Sequence, residues 1–125
     1  MVDQPGDPIN RTTFGVEQRE TDGAVVLAVS GEVDMLSAPQ LAEAMRAALS
    51  TKPAALIVDL TKVEFLASAG MSVLVNGQAE LEPPTRMAVV ADGPATSRPL
   101  KLMGIDSVLP LHRTLDSALN WITGA

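Results

Sequence analysis

The chain has no cysteine and no tyrosine, and only one histidine, one tryptophan and two phenylalanines among 125 residues. Without cysteine there is no disulfide, no thiolate nucleophile and no thiolate metal site. A single histidine, His112, cannot build a multi-histidine metal cluster. Aromatic residues at 2 % leave nothing to form a stacking surface for nucleic-acid bases. Positive charge is also scarce. Nine Lys and Arg stand singly against fifteen Asp and Glu, for a net charge of -6, so no basic stripe is available to track a phosphate backbone. No apolar run approaches the ~20 residues that a bilayer requires, and the first residues lack the basic start and apolar stretch of a secretory signal. The expectation is a cytoplasmic protein with no metal, no cofactor, no direct nucleic-acid partner and no membrane partner.

What is present is aliphatic. Hydrophobic residues reach 46 %, almost all Val, Leu, Ala, Met and Ile, enough for one close-packed core in a chain of single-domain length. Residues 1–12 are polar, with Pro5 and Pro8, and read as a flexible tail; residues 13–123 read as one domain. Phe14 to Gln18 predicts a first strand, and Thr21-Asp22-Gly23 a hairpin turn. Ala24 to Ser30 predicts a strand buried on both faces. Ser37 is a candidate N-cap, with Pro39 in the first turn of a helix reaching Leu49. Leu41, Ala44, Met45, Ala48 and Leu49 make its apolar stripe.

Ala54 to Leu60 predicts the next strand, and Met71 to Leu81 a helix stopped by Glu82-Pro83-Pro84. A strand at Met87 to Val90, a helix from Thr96 to Met103 closed by Gly104, a strand at Val108 to Leu111 and a helix capped by Thr114 complete the chain. The order β-β-α-β-α-β-α-β-α predicts an α/β fold: a mixed sheet with an opening hairpin and about four packed helices. The pattern does not say whether the helices cover one face or both.

Asp59 to Ser72, D-L-T-K-V-E-F-L-A-S-A-G-M-S, is the most specific stretch. An apolar strand passes through a small-residue loop, Phe65 to Gly70, into an apolar helix. This sets Ser68 where backbone N–H groups and the helix dipole converge. Two readings stay open. Ala67, Ser68, Ala69 and Gly70 can make a tight corner with Ser68 as the helix cap, or Ser68 can be a switch, because a phosphate there would add about -1.5 to -2 charge at pH 7. A second group, Asp34 and Ser37, lies between a buried strand and the first helix. In a mixed sheet it can share one end with the Phe65 to Gly70 loop and form a polar rim around a shallow apolar surface. Catalysis is not expected: Ser68 lies outside a G-x-S-x-G elbow, His112 has only Leu111 and Arg113 beside it, and no phosphate-binding or dinucleotide fingerprint occurs.

Two motifs resemble those of the STAS domain family, in particular its bacterial anti-sigma factor antagonists. G31-E32-V33-D34-M35-L36-S37-A38 is similar to the family's G-E-[IVL]-D followed by a helix-starting Ser or Thr and Ala. V58-D59-L60-T61-K62-V63-E64-F65-L66-A67-S68-A69-G70-M71 is similar to its strand-D-L-S-x-V-x-F-[LMI]-D-S-[ST]-G loop. The resemblance runs from about Phe14 to Ile122. It implies a STAS-like single domain that binds an anti-sigma factor, often a histidine-kinase-like serine kinase, and so frees a sigma factor. The implied contact residues are Asp34, Ser37, Leu66, Ala67, Ser68, Ala69, Gly70 and Met71. The chain departs from the family at two of them. The usual phosphoacceptor position holds Ala69, which has no hydroxyl, and the acidic residue that opens the loop is replaced by Ala67. Ser68 is then the implied acceptor, unless binding is constitutive or control enters elsewhere. The alternative reading is a non-catalytic STAS scaffold module in a stress-signalling complex.

Overall fold

The computed structural model describes residues 13–124; the tail expected at 1–12 lies outside them. A hairpin opens the fold. Strands β1 (Gly15–Thr21) and β2 (Ala24–Val33) are antiparallel, and Asp22 (φ 52°) and Gly23 (φ 82°) both take positive φ. That is the two-residue turn whose twist matches that of its strands. From β2 onward strands and helices alternate: α1 (Ala38–Leu49), β3 (Ala55–Leu66), α2 (Ser68–Ala79), β4 (Arg86–Val90), α3 (Ser97–Leu102), β5 (Leu111–His112) and α4 (Leu115–Thr123), with a 3-10 turn at Ile105–Ser107. The sheet runs β1-β2-β3-β4-β5 in space, and β2 to β5 are mutually parallel.

Both faces of the sheet are covered, and the period of two along each strand sorts the side chains between them. Val25, Leu27, Val29, Leu56, Val58, Met87 and Val89 meet Leu41, Met45, Leu74 and Leu100 from α1, α2 and α3 on one face. Ala24, Val26, Ala55, Ile57, Ala88 and Val90 meet Ala118 of α4 on the other, with Leu115, Leu119, Trp121 and Ile122 around it. Each fully buried Leu or Ile contributes about 1.5–3 kcal/mol. The second face is alanine-rich, so α4 sits close, and Arg86 lies 3.8 Å over the Trp121 ring at its margin.

Expected boundaries move: β1 runs on to Thr21 and β2 to Val33, each three residues past its expected end because the two strands and β3 go on pairing, and three further shifts bear on the helices and the site. First, β3 does not end at Leu60 but continues through Leu66, so Phe65 and Leu66 are strand rather than loop. The extension is carried by two register shifts. Ala28 pairs with Asp59 and Ser30 with Lys62, then Gly31 with Val63 and Glu32 with Phe65. At each step β3 holds one residue more than β2, which is a β-bulge. Buried positions therefore recur every third residue, at Leu60, Val63 and Leu66, a spacing that alternation rules do not recognise. Second, α2 starts at Ser68, three residues ahead of expectation. Third, β5 shrinks to Leu111–His112: Val108 is half exposed while Leu109 plugs the core. The ends of α3 and α4 follow their local signals. Gly104 is left-handed (φ 74°), and the Thr114 hydroxyl accepts the Ser117 N–H.

Candidate functional site

The C-terminal ends of β2 and β3 bring the two conspicuous segments together. Val33 and Leu66 are paired in the sheet, and the Ala67 N–H donates to the Val33 carbonyl at 2.8 Å. Gly70 then sits against the same residue. A Cβ at this position would lie 2.5 Å from Val33 Cγ1 and 2.9 Å from Leu66 Cδ1. Glycine is required here by close approach, because the first turn of α2 rests directly on the ends of both strands.

The β2–α1 corner is built from polar groups. Asp34 Oδ1 accepts the N–H groups of Leu36 (2.9 Å) and Ser37 (3.0 Å). Ser37 is buried. Its hydroxyl accepts the Asp34 N–H (2.9 Å) and donates to the Glu32 carbonyl (2.8 Å), with Asp34 Oδ1 at 3.1 Å as the alternative acceptor. The expected cap role of Ser37 is corrected by this geometry. It occupies the N-cap position in an αR conformation and makes no capping bond into α1. Its hydroxyl ties the corner back to β2 instead. The Ser37 backbone N–H at Asp34 lowers that carboxyl's pKa below 3.8; desolvation opposes the shift, while the Ser37 hydroxyl and the Leu36 N–H add to it. Held this way, the corner pushes Met35 and Leu36 outward, 77 % and 83 % exposed.

The β3–α2 corner has a different construction. Ala67 is its N-cap, with extended backbone (φ -82°, ψ 168°) and no capping side chain, so the cap role of Ser68 is also corrected. Ser68 is the first residue of α2, and it is exposed. Ala67 and Ala69 are half-buried, while Leu66, Gly70 and Met71 are buried. Of the eight residues singled out from sequence, then, Ser68, Ala67, Ala69 and Asp34 reach the surface; Ser37, Leu66, Gly70 and Met71 set the shape beneath them. The Asp59 carboxylate accepts the Thr61 N–H at 3.0 Å, at the first bulge.

Sequence reading passed over the apolar side chains around this end. Phe65 is 51 % exposed and Met103 65 %. A cleft of about 270 Å³ runs between α2 and the α3 end, lined by Ser68, Met71, Ser72, Val75, Asn76, Met103 and Ile105. Met35 and Leu36 stand inside the first motif, and two large apolar residues in a turn between polar anchors were the available signal. Met35 and Leu36 follow the end of β2 and Phe65 lies at the paired end of β3, so these exposed apolar side chains share one end of the sheet. A hollow of about 700 Å³ at the opposite end, between Lys52, Pro53 and the Glu80–Thr85 segment, holds no comparable set.

His112 takes no part in this site. Its Nδ1 lies 2.9 Å from the Ser117 hydroxyl, its ring tilts against Trp121 at 5.5 Å, and burial lowers its pKa. Among the described residues there is no group of three His, Cys, Asp or Glu able to hold a metal ion, and no helix is long and apolar enough to cross a membrane.

Known proteins give this geometry a context. A family model described as "Mlab, STAS domain" matches residues 16–112. The anti-sigma-F factor antagonist RsfB of Mycobacterium tuberculosis is 38 % identical over 103 residues, covering 82 % of this chain and 84 % of that one. The crystal structure of an anti-sigma factor antagonist from Mycobacterium paratuberculosis superposes with a TM-score of 0.87 at 42 % identity, over 90 % of this chain and 97 % of the other. The anti-sigma factor antagonist SpoIIAA in its unphosphorylated form shares the fold at 20 % identity, with a TM-score of 0.70 over 90 % of this chain and 98 % of its own; SpoIIAA is also known in a phosphorylated form.

Proposed function

The chain belongs to the STAS domain family, and from that premise we propose that it is an anti-sigma factor antagonist, docking an anti-sigma factor at the end of the sheet where β2 and β3 meet α1 and α2. One observation carries the reading. The two motif segments converge on the Val33–Leu66 pair and surround themselves with exposed Met35, Leu36 and Phe65. A surface of this kind, apolar at its centre and rimmed by Asp34 and Ser68, suits a protein partner that covers apolar area and reads a few polar groups. The names of the Mycobacterium relatives support the same partner class.

Ser68 is the acceptor this reading assigns to a kinase-type partner. Its hydroxyl is exposed at the first position of a twelve-residue helix, whereas the Ala69 side chain offers no oxygen. A phosphate at Ser68 would meet first-turn N–H groups that have no partner within the helix, a favourable place for the fold. The same charge would sit on the docking rim and weaken a contact built on apolar burial. The ATP for that reaction would be bound by the partner.

The test is titration of the full chain against the anti-sigma factor that co-purifies with it from the native cell. Ala69→Glu is expected to weaken the complex about tenfold or more, because a charge enters the half-buried edge of the rim, with thermal unfolding close to the parent's. Equal affinity would remove this corner from the interface. Intact-mass analysis after incubation with the partner and ATP is expected to add one phosphate, mapped to Ser68; absence of that addition would leave an antagonist whose binding is constitutive.

A further inference from the structure

The two edges of the sheet are unequal. β5 offers two residues, whereas β1 offers seven, Gly15–Thr21, and its stretch from Glu17 to Glu20 is exposed. The hairpin fixes which backbone groups of β1 face outward. A two-residue turn makes its flanking pair, Thr21 and Ala24, exchange hydrogen bonds, and alternation along the ladder assigns Thr21, Arg19, Glu17 and Gly15 to β2. The N–H and C=O groups of Val16, Gln18 and Glu20 therefore point away from the sheet and, among the described residues, meet no further strand, a template for another one.

The side chains choose what that strand can be. A second copy of β1 laid antiparallel against this edge must set outward-facing residues opposite outward-facing residues, which leaves three symmetric registers with extensive overlap. One centred on Glu17 sets Glu17 against Glu17 of the other copy, and one centred on Arg19 sets Arg19 against Arg19. The register centred on Gln18 pairs Gln18 with Gln18, Val16 with Glu20, and Glu17 with Arg19 twice over. Glu17 and Arg19 lie on one face of the strand, at positions where cross-strand neighbours approach closest, ~4.5 Å between Cα atoms, and opposite charges there are favourable while like charges are not. Val16, on the other face, stays half-buried against the core of its own chain.

We propose that this protein forms a reversible two-fold dimer by pairing β1 with β1, in the register centred on Gln18, so that the two five-stranded sheets become one continuous sheet. The charges that keep unrelated strands off this edge select its own copy. The seam is centred opposite Leu27, midway along β2, so the Met35–Leu36 end stays open on both copies and the dimer presents two docking surfaces.

Sedimentation velocity of the full chain over a rising concentration series is expected to move from the mass of one chain to that of two. Glu17→Arg sets two arginine side chains opposite each other at both charged pairs of the seam, and Arg19→Glu sets two glutamates there. Each substitution alone is expected to weaken self-association about tenfold or more. Both positions are exposed, so the fold is retained. Mixing the two variants in equal amounts brings an all-basic edge against an all-acidic one, and a heterodimer at least as tight as the parent is expected. A parent chain that stays monomeric throughout would overturn the proposal. So would a dimer that both single variants leave intact, or a mixture that associates no better than its components.

Discussion

The corner from β2 into α1 is held by hydrogen bonds, and the corner from β3 into α2 by fit. At the first, Asp34 and Ser37 close a ring of contacts with the backbone of Glu32, Leu36 and Asp34 itself. At the second, among the described residues no side chain caps the entering helix. The chain turns through Ala67 alone, and Gly70 settles onto Val33 and Leu66. The difference suits what each corner displays. A polar lattice can hold large apolar residues out in water, as at Met35 and Leu36. A corner of small residues leaves backbone N–H groups and one hydroxyl at the surface, where a partner or a phosphate can reach them.

If fit alone holds the second corner, the largest loss should come from the smallest added group. Gly70→Ala drives a methyl into Val33 and Leu66, both buried, and overpacking of this kind costs about 1–3 kcal/mol. Urea unfolding should show the midpoint fall, and Val33→Ala in the same chain should make the added methyl less harmful. An unchanged midpoint would mean that the corner is loose and the comparison mistaken.

The first corner should answer to Ser37→Ala. This substitution removes the donor to the Glu32 carbonyl and the acceptor of the Asp34 N–H in a buried setting, a loss of about 1–2 kcal/mol. The same measurement on both variants ranks the two devices directly.

Acid separates the corners further, because only the first holds a carboxylate. Asp34 has its pKa lowered in the folded chain. Its contribution is thus complete above the unfolded value near 3.8 and is lost as pH falls through the lower folded value. Asp34→Asn should flatten this part of the stability-versus-pH curve, read by denaturation at a series of acid pH values. Carboxyl chemical shifts should place the Asp34 titration below the ordinary aspartate range.

The smallest effect is expected at Ser68. Its hydroxyl caps nothing, so Ser68→Asp should change stability only by the interaction of a negative charge with the start of α2, about 0.3–1 kcal/mol in the stabilising direction and weaker in salt. A destabilised Ser68→Asp would show that the position is less open than its exposure indicates, and would count against a phosphate there.

Much of this fold is legible locally. The hairpin at Asp22-Gly23, the Gly104 terminus and the Thr114 cap each depend on the conformational limits of a few neighbouring residues, and each lies where those limits put it; α2 ends at Ala79, two residues before the expected Leu81 and ahead of Glu82-Pro83-Pro84. The convergence of the two motif segments also follows from the pattern, since parallel strands send their following loops to one end. Two things are not legible. Lys62, Glu64 and Phe65 break the two-residue alternation, so the segment after Leu60 reads as loop; only pairing with β2, through two bulges, makes it strand. Ser37 has the composition of a cap, yet its hydroxyl is engaged by Glu32 and Asp34, partners that the path of β2 brings within reach.

The order of elements, the aliphatic character of the core and the identity of the two segments that matter are written in the chain locally, because turn chemistry and apolar periodicity act over a few residues. Three features required the packed molecule: how far β3 runs, the placing of α4 on the face opposite α1, α2 and α3, and which rim residues meet water. Those outcomes depend on contacts between segments distant in the chain, above all Val33 against Leu66 and Gly70. In an interior packed as densely as a crystal, a shift of one methyl group settles what is buried and what is displayed.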